Sequence, residues 1–245
     1  MASIKSAYFK ITRARHHYNE LCGEINRYYA EEPGHLVLMP DSTPEKRHYQ
    51  FQAKGEIPAR IGLMCGDCLQ NLRSSLDYLV HELVEANGAK TNKKHMFPIA
   101  LTAEQYDRDA THRLNGIDPR AKLFIEALQP FLLDDPQSSP LYLLDELTNV
   151  NKHRRPLVTN LAGARSKPPV EFPHMPIVFQ TRDADGKVVE ETPVRVWIAL
   201  QDAPADGMEI TWVLNAIAQH ITHNVFGLFK PFFDPLTHDS LSAAW

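Results

Sequence analysis

The sequence predicts an α+β fold: a mainly helical bundle of about four long helices, with small antiparallel β hairpins alongside. Three observations predict it. Apolar residues recur at three- and four-residue steps near 4–30, 60–86, 140–155 and 208–229, the period of a helix with one buried face. Residues 35–53 and 177–200 instead carry β-branched and aromatic residues around turn-forming sequence. The chain has 245 residues, 43% hydrophobic and 23% charged, and no internal repeat, so residues 1–245 read as a single domain.

Each element follows from its own pattern. Ile4, Tyr8, Ile11, Tyr18, Leu21, Ile25 and Tyr28 form the first stripe, which Pro33 and Gly34 end. "HLVLMP" and "RHYQFQA" read as two short strands joined by the turn-rich "DSTPEK". The second helix starts between Pro58 and Gly66 and runs to Glu85, stopped by Asn87 and Gly88. Residues 102–131 hold weaker helices broken around "NGIDP", and a third strong helix spans 140–155 between two prolines. "RSKPPVEFPHMP" reads as a connector rather than a strand. "IVFQTRDADGKVVEETPVRVWIAL" reads as a hairpin around an Asp-Gly turn, before a last long helix over 208–229.

Composition narrows the classes of function. The formal charge is −4 and no segment is a dense run of Lys and Arg, so no duplex DNA partner is expected. No apolar stretch approaches the roughly 20 residues that span a bilayer, and the first 20 residues lack a signal-peptide apolar core. Three cysteines do not make a disulfide framework. A cytoplasmic protein without a membrane partner is the expectation.

The candidate site comes from polar residues on apolar helix faces. At about 100° per residue, Leu69, Leu72, Leu76, Leu79, Val80 and Leu83 share one face of the second helix, while Asp67, Asn71, Tyr78 and His81 oppose it. Arg73 and Asp77 lie at one edge of the stripe, four residues apart, where side chains can meet. Two readings follow: a structural pair that closes the rim of the core, or an Arg73 that faces an inter-helix cavity and holds an anion there. In the third helix Asn151 and Arg154 continue the face of Leu143, Leu144, Leu147 and Val150, with His153 turned away. In the last helix His220 and Asn224 fall inside the face of Val213, Leu214, Ile217, Ile221 and Leu228, and His223 does not. Polar groups on core faces must find partners or they cost free energy. With the basic cluster Lys152–Arg155, the candidates for an anionic ligand are Arg73, Asp77, Asn151, Lys152, His153, Arg154, His220 and Asn224. They form either a site or a structural polar core.

Other motifs carry less. "CGDC" has Cys-x-x-Cys spacing at Cys65 and Cys68, but Cys22 is the one further thiol and Cys65 lies on the leucine face. His16 and Glu20 share a metal-compatible step on the face opposite Ile11. His220 and His223 stand at i, i+3 without the repeated Glu-x-x-His pattern of di-iron bundles. No nucleophile elbow, phosphate loop or dinucleotide loop is present. No metal and no cofactor are expected.

"GDCLQNLRSSLDYLV" and "LLDELTNVNKHRRPLV", with "FPI" and "LQPF" between them, resemble a bacterial family of hypothetical proteins with a GD…NLRSxLD segment and a later KHR segment. The resemblance covers most of residues 60–160. The helical arrangement is also faintly similar to HEPN-domain proteins, which include RNA-cleaving toxins and defence nucleases. Those enzymes use an Arg and a His four to six residues apart on one helix, whereas Arg73 and His81 have seven residues between them. The similarity implies an RNA-directed or defence-related role, with Arg73 and Lys152–Arg155 engaging phosphate. The expectation is a bundle with an inter-helix site for an anionic small molecule or a short RNA. A metal-dependent enzyme using His, Asp and Glu on the helices, and a non-catalytic partner-binding protein, stay open, as does whether the chain is an enzyme.

Overall fold

The leucine stripe of the second helix is the axis of the molecule. A computed structural model describes residues 4–40, 43, 49–153, 157, 159–164, 175–182 and 188–233. In it α2, Ala59–Ala86, buries Leu69, Leu72, Leu76, Leu79, Val80 and Leu83. Against that face pack α1 (Lys5–Ala30), α5 (Pro140–His153) and α6 (Ile210–Gln219). Their buried apolar residues join Ile198 and Leu200 of a nearby strand in one contiguous cluster.

Side-chain contacts fix the helix directions. Glu82 meets Ser6 and Ala7, Cys68 meets Ala14, and Arg60 pairs with Glu24, so α1 and α2 run antiparallel. Asp145 lies by Arg73 and Asn151 by Gly66, so α5 runs antiparallel to α2. Thr211 bonds Tyr18 and the Phe226 ring lies 5.1 Å from Tyr8, so the last helical stretch runs antiparallel to α1. The result is an up-down-up-down arrangement.

The weaker helices are α3, Ala103–Arg113, and α4, Pro119–Ala127. Thr102 caps α3 by accepting from the Gln105 amide, and Asp118 caps α4 ahead of a proline at the first helical position. Strands β1, Gly34–Leu38, and β2, Tyr49–Ala53, pair antiparallel, with Gly34 opposite Ala53. A second sheet has the order β3-β5-β4, from Thr159–Ala164, Val188–Leu200 and Met175–Arg182. The β4–β5 hairpin follows the sequence reading, though Met175 and Pro176, placed there in the connector, belong to β4. Strand β3 is an addition that the sequence did not suggest. Tyr29 of α1 accepts a hydrogen bond from the Ile198 amide at 2.9 Å and ties this sheet to the bundle.

The last helix is not regular. A π-helical segment, His220–Val225, separates α6 from α7, Phe226–Phe229. A π turn inserts one extra residue and turns everything after it by about 100°. This corrects the expected apolar face. Leu228 is 40% exposed and Asn224 is also exposed, while Val225, Phe226 and Phe229 are buried.

Close approach to α2 depends on two glycines one turn apart. A Cβ at Gly66 would stand 2.5 Å from the Asn151 amide oxygen, and one at Gly62 would meet the Leu157 carbonyl oxygen. Backbone gives way less easily than a side-chain amide. Gly62→Ala should therefore lower stability by about 1–3 kcal/mol although alanine is the better helix former, and Gly66→Ala by less. Gly23→Ala on α1, where nothing lies within 4 Å, should stabilise instead. Urea midpoints of the three variants check the order.

Candidate functional site

Arg73 is 5% exposed, and each of its three guanidinium nitrogens meets a protein oxygen. Its Nη1 donates to Asp77 Oδ1 at 2.7 Å, as the four-residue spacing requires. Its Nη2 donates to the Phe97 carbonyl at 2.9 Å, and its Nε lies 3.5 Å from Asp145 Oδ1 on α5. Asp77 Oδ1 also accepts from the Phe97 amide at 3.0 Å. The pair thus satisfies both backbone groups of Phe97, whose ring is fully buried. Two carboxylates and a carbonyl surround this arginine, which offsets its charge.

The other sequence candidates lie apart from this pair. Asn151 is half-buried against Gly66, two turns along α2 from Arg73. Lys152 is exposed at the end of α5, and His153 is that helix's last residue. Arg154 lies outside the described residues. His220 and Asn224 bond each other, Nδ1 to Nδ2 at 3.1 Å, across the π segment. His220 Nε2 is buried with no partner among the described residues, and burial lowers the pKa of this ring. The sequence-predicted residues therefore form three separate groups: Arg73 with Asp77, Asn151 with Lys152, and His220 with Asn224.

Cys65 and Cys68 are free and fully buried, and burial holds both thiols well above their usual pKa. His16 and Glu20 form a surface pair at 3.3 Å. Among the described residues no group of three or more His, Cys, Asp or Glu is placed to hold a metal ion. Nor is any described helix long and apolar enough to cross a membrane.

The loop that Arg73 and Asp77 clamp builds a different site. Gln129 holds it further on, accepting from the Ala100 amide and donating to the Pro98 carbonyl, both at 3.0 Å. His81 donates from Nε2 to the His95 carbonyl at 3.1 Å. His95 is buried, its Nδ1 accepts from the Asn92 amide at 3.1 Å, and its Nε2 lies 3.2 Å from Asn92 Nδ2. Burial lowers the His95 pKa, which favours the neutral ring, and the ring also bonds the Asn115 backbone. Asn92 Oδ1 accepts from the Lys94 amide at 2.9 Å. The 92–95 turn is therefore fixed by its own side chains, and Lys93 and Lys94 project from it into solvent. Between this turn and the end of α3 lies a pocket of about 400 Å³, lined by Asn92, Lys93, Lys94, Thr111, His112 and Asn115.

A second pocket, about 360 Å³, opens between the start of α1 and α2 and is lined by Ser6, Asp77, Tyr78, His81, Glu82 and Glu85. Glu82 is 5% exposed and caps α1 from another helix: its Oε1 accepts from the Ser6 amide at 2.9 Å and the Ala7 amide at 3.3 Å. Glu209 caps α6 from within, accepting from Thr211 Oγ1 at 2.7 Å and from the Trp212 amide. Burial raises both carboxyls to about 7.

The sequence reading missed both pockets. The "KTNKKH" run in a loop signals the first, and an acid among Leu79, Val80 and Leu83 signals the second. No protein-family model, no curated protein and no solved structure matches the chain.

Two expectations test this geometry. Arg73→Ala leaves Asp77, Asp145 and the Phe97 carbonyl short of a donor. It should cost about 3 kcal/mol, the lower end for a buried pair because both carboxylates reach solvent. Denaturant melts of Arg73→Ala, Asp77→Ala and the double variant should show strong coupling, and additive losses would deny the clamp. The second concerns pH. A folded-state carboxyl raised from 4.5 to about 7 binds protons more tightly than the unfolded chain, so its contribution is present below pH 4.5 and is lost as pH rises through 7. Relative to Glu82→Gln or Glu209→Gln, the native chain should lose stability across that window. The histidine contributions, which run the opposite way, cancel in the difference.

Proposed function

We propose that the protein binds a small phosphate-bearing ligand, of which the end of a short RNA is one form, in the pocket between the 92–95 turn and the end of α3. One observation carries this reading: two lysines, a histidine and three neutral hydrogen-bonding side chains line the pocket, and no carboxylate does. The volume falls in the range of small-molecule sites, about 300–1,000 Å³. Ammonium groups on a fixed turn meet phosphate with the backbone already ordered, so only the side chains lose freedom on binding. His112 and Arg113 in the last turn of α3 offset the negative end of that helix.

The reading is one of binding rather than strand cleavage. Arg73, the arginine that the HEPN similarity singles out, is spent on Asp77, Asp145 and Phe97, and His81 is spent on the His95 carbonyl. The lining holds no large aromatic ring on which bases would stack, which favours a phosphate contact over readout of a longer strand.

Calorimetric titration with inorganic phosphate, a mononucleotide and short single-stranded RNA, with and without a terminal phosphate, tests the proposal. The phosphorylated ligands should bind, and affinity should fall with added salt. Lys93→Ala with Lys94→Ala should weaken binding at least about ten-fold and leave the melting transition in place, since both side chains are exposed. Equal binding by the native chain and the double variant would remove the pocket from consideration.

A further inference from the structure

The pocket between the start of α1 and α2 has the opposite character. Its lining includes the carboxyl groups of Asp77, Glu82 and Glu85, the Tyr78 phenol, the His81 imidazole and Ser6, and neither Lys nor Arg. We propose that it is a second binding site, for a small organic ammonium ion such as a primary amine or diamine. The site is distinct from the phosphate pocket and does not rest on that reading.

Two observations beyond the acidic lining carry the proposal. The first is Glu82. It is almost wholly buried, its Oε1 is taken by the α1 amides, and its Oε2 has no hydrogen-bond partner among the described residues. A buried carboxylate oxygen without a donor is costly, and an N–H from a cation in the pocket supplies one. The second is Tyr78. The residue is 43% exposed, and the Lys10 ammonium lies 5.3 Å from its ring centroid, so this ring already takes one ammonium as a cation–π partner.

The geometry separates an organic cation from a metal ion. The acidic and imidazole groups do not converge as a metal-ligand set among the described residues. Contacts spread over about 360 Å³ suit a larger ion that meets carboxylates at one end and an aromatic face at another. Asp77 keeps Oδ2 for this role while Oδ1 serves Arg73 and Phe97.

The test is calorimetric titration of the full chain with 1,4-diaminobutane, with magnesium chloride as a separate arm. The diamine should bind, and phosphate should not compete with it. Glu82→Gln keeps an oxygen to cap α1 and removes the charge, so it should weaken the diamine at least about ten-fold. If Glu82→Gln fails to fold, Glu85→Gln, at an exposed position, should weaken it in the same direction. Lys10→Gln, which removes a neighbouring positive charge and frees the Tyr78 ring of its cation, should tighten binding. Absence of diamine binding, unchanged affinity in the glutamine variants, or magnesium that binds and displaces the diamine would each overturn the proposal.

Discussion

The Arg73–Asp77 pair holds the segment after α2 by gripping both backbone groups of a single buried residue, Phe97. Much of the surface chemistry depends on that grip. A loop that crosses a helix bundle has backbone groups that no ladder satisfies, and a low-dielectric interior makes each unpaired one expensive. Here the charged pair supplies both missing partners, and Gln129 does the same for Pro98 and Ala100. With the segment fixed at 97–100, the 92–95 turn has a rigid base. Arg73 and the Oδ1 of Asp77, at the rim of the leucine stripe, thus hold the segment from which the turn of Lys93 and Lys94 projects.

The two pockets are neighbours of opposite sign. His81 belongs to the lining of the acidic one, and its Nε2 holds the carbonyl of His95, which fixes the basic turn. The rings of the two histidines lie 5.8 Å apart at 84°. A chain of net charge −4 can still hold a pocket lined by lysines and no carboxylate, beside one lined by three carboxyl residues and no lysine. Average charge, which argues against duplex DNA, says little about a pocket only six residues wide.

The sequence was legible where a pattern is local. The stripes of α1, α2 and α5 and the stops at Pro33 and Gly88 all act within one element, and local pattern reports them, whereas the Asp-Gly turn expected near 185 lies outside the described residues. Strand β3, "TNLAGA", has no alternation of its own and exists through pairing with β5, a tertiary effect. The Arg73–Asp77 contact was visible as a four-residue step, but Phe97, which gives it purpose, lies 24 residues from Arg73 and could not be paired with it from spacing. The basic pocket joins residues 92–94 to 111–115 across a turn and a helix, so neither half reads as a site alone. Wheel positions failed after residue 220 because a uniform 100° step assumes a helix that the chain does not form there.

That irregular stretch bears on which changes of length the chain can absorb. The buried residues Ile217, Ile221, Val225 and Phe229 are spaced by four throughout. On an ideal helix of 3.6 residues per turn such a series winds steadily off one side. The widened turn takes up the surplus and keeps all four against the bundle. It behaves as a single stored insertion. Losing one residue between 220 and 225 would give a smoother helix and a worse protein, with Phe226 and Phe229 swung away from Tyr8 and Phe124. Slack of one residue is thus part of what the sequence encodes, and this stretch tolerates a changed side chain more readily than a missing residue.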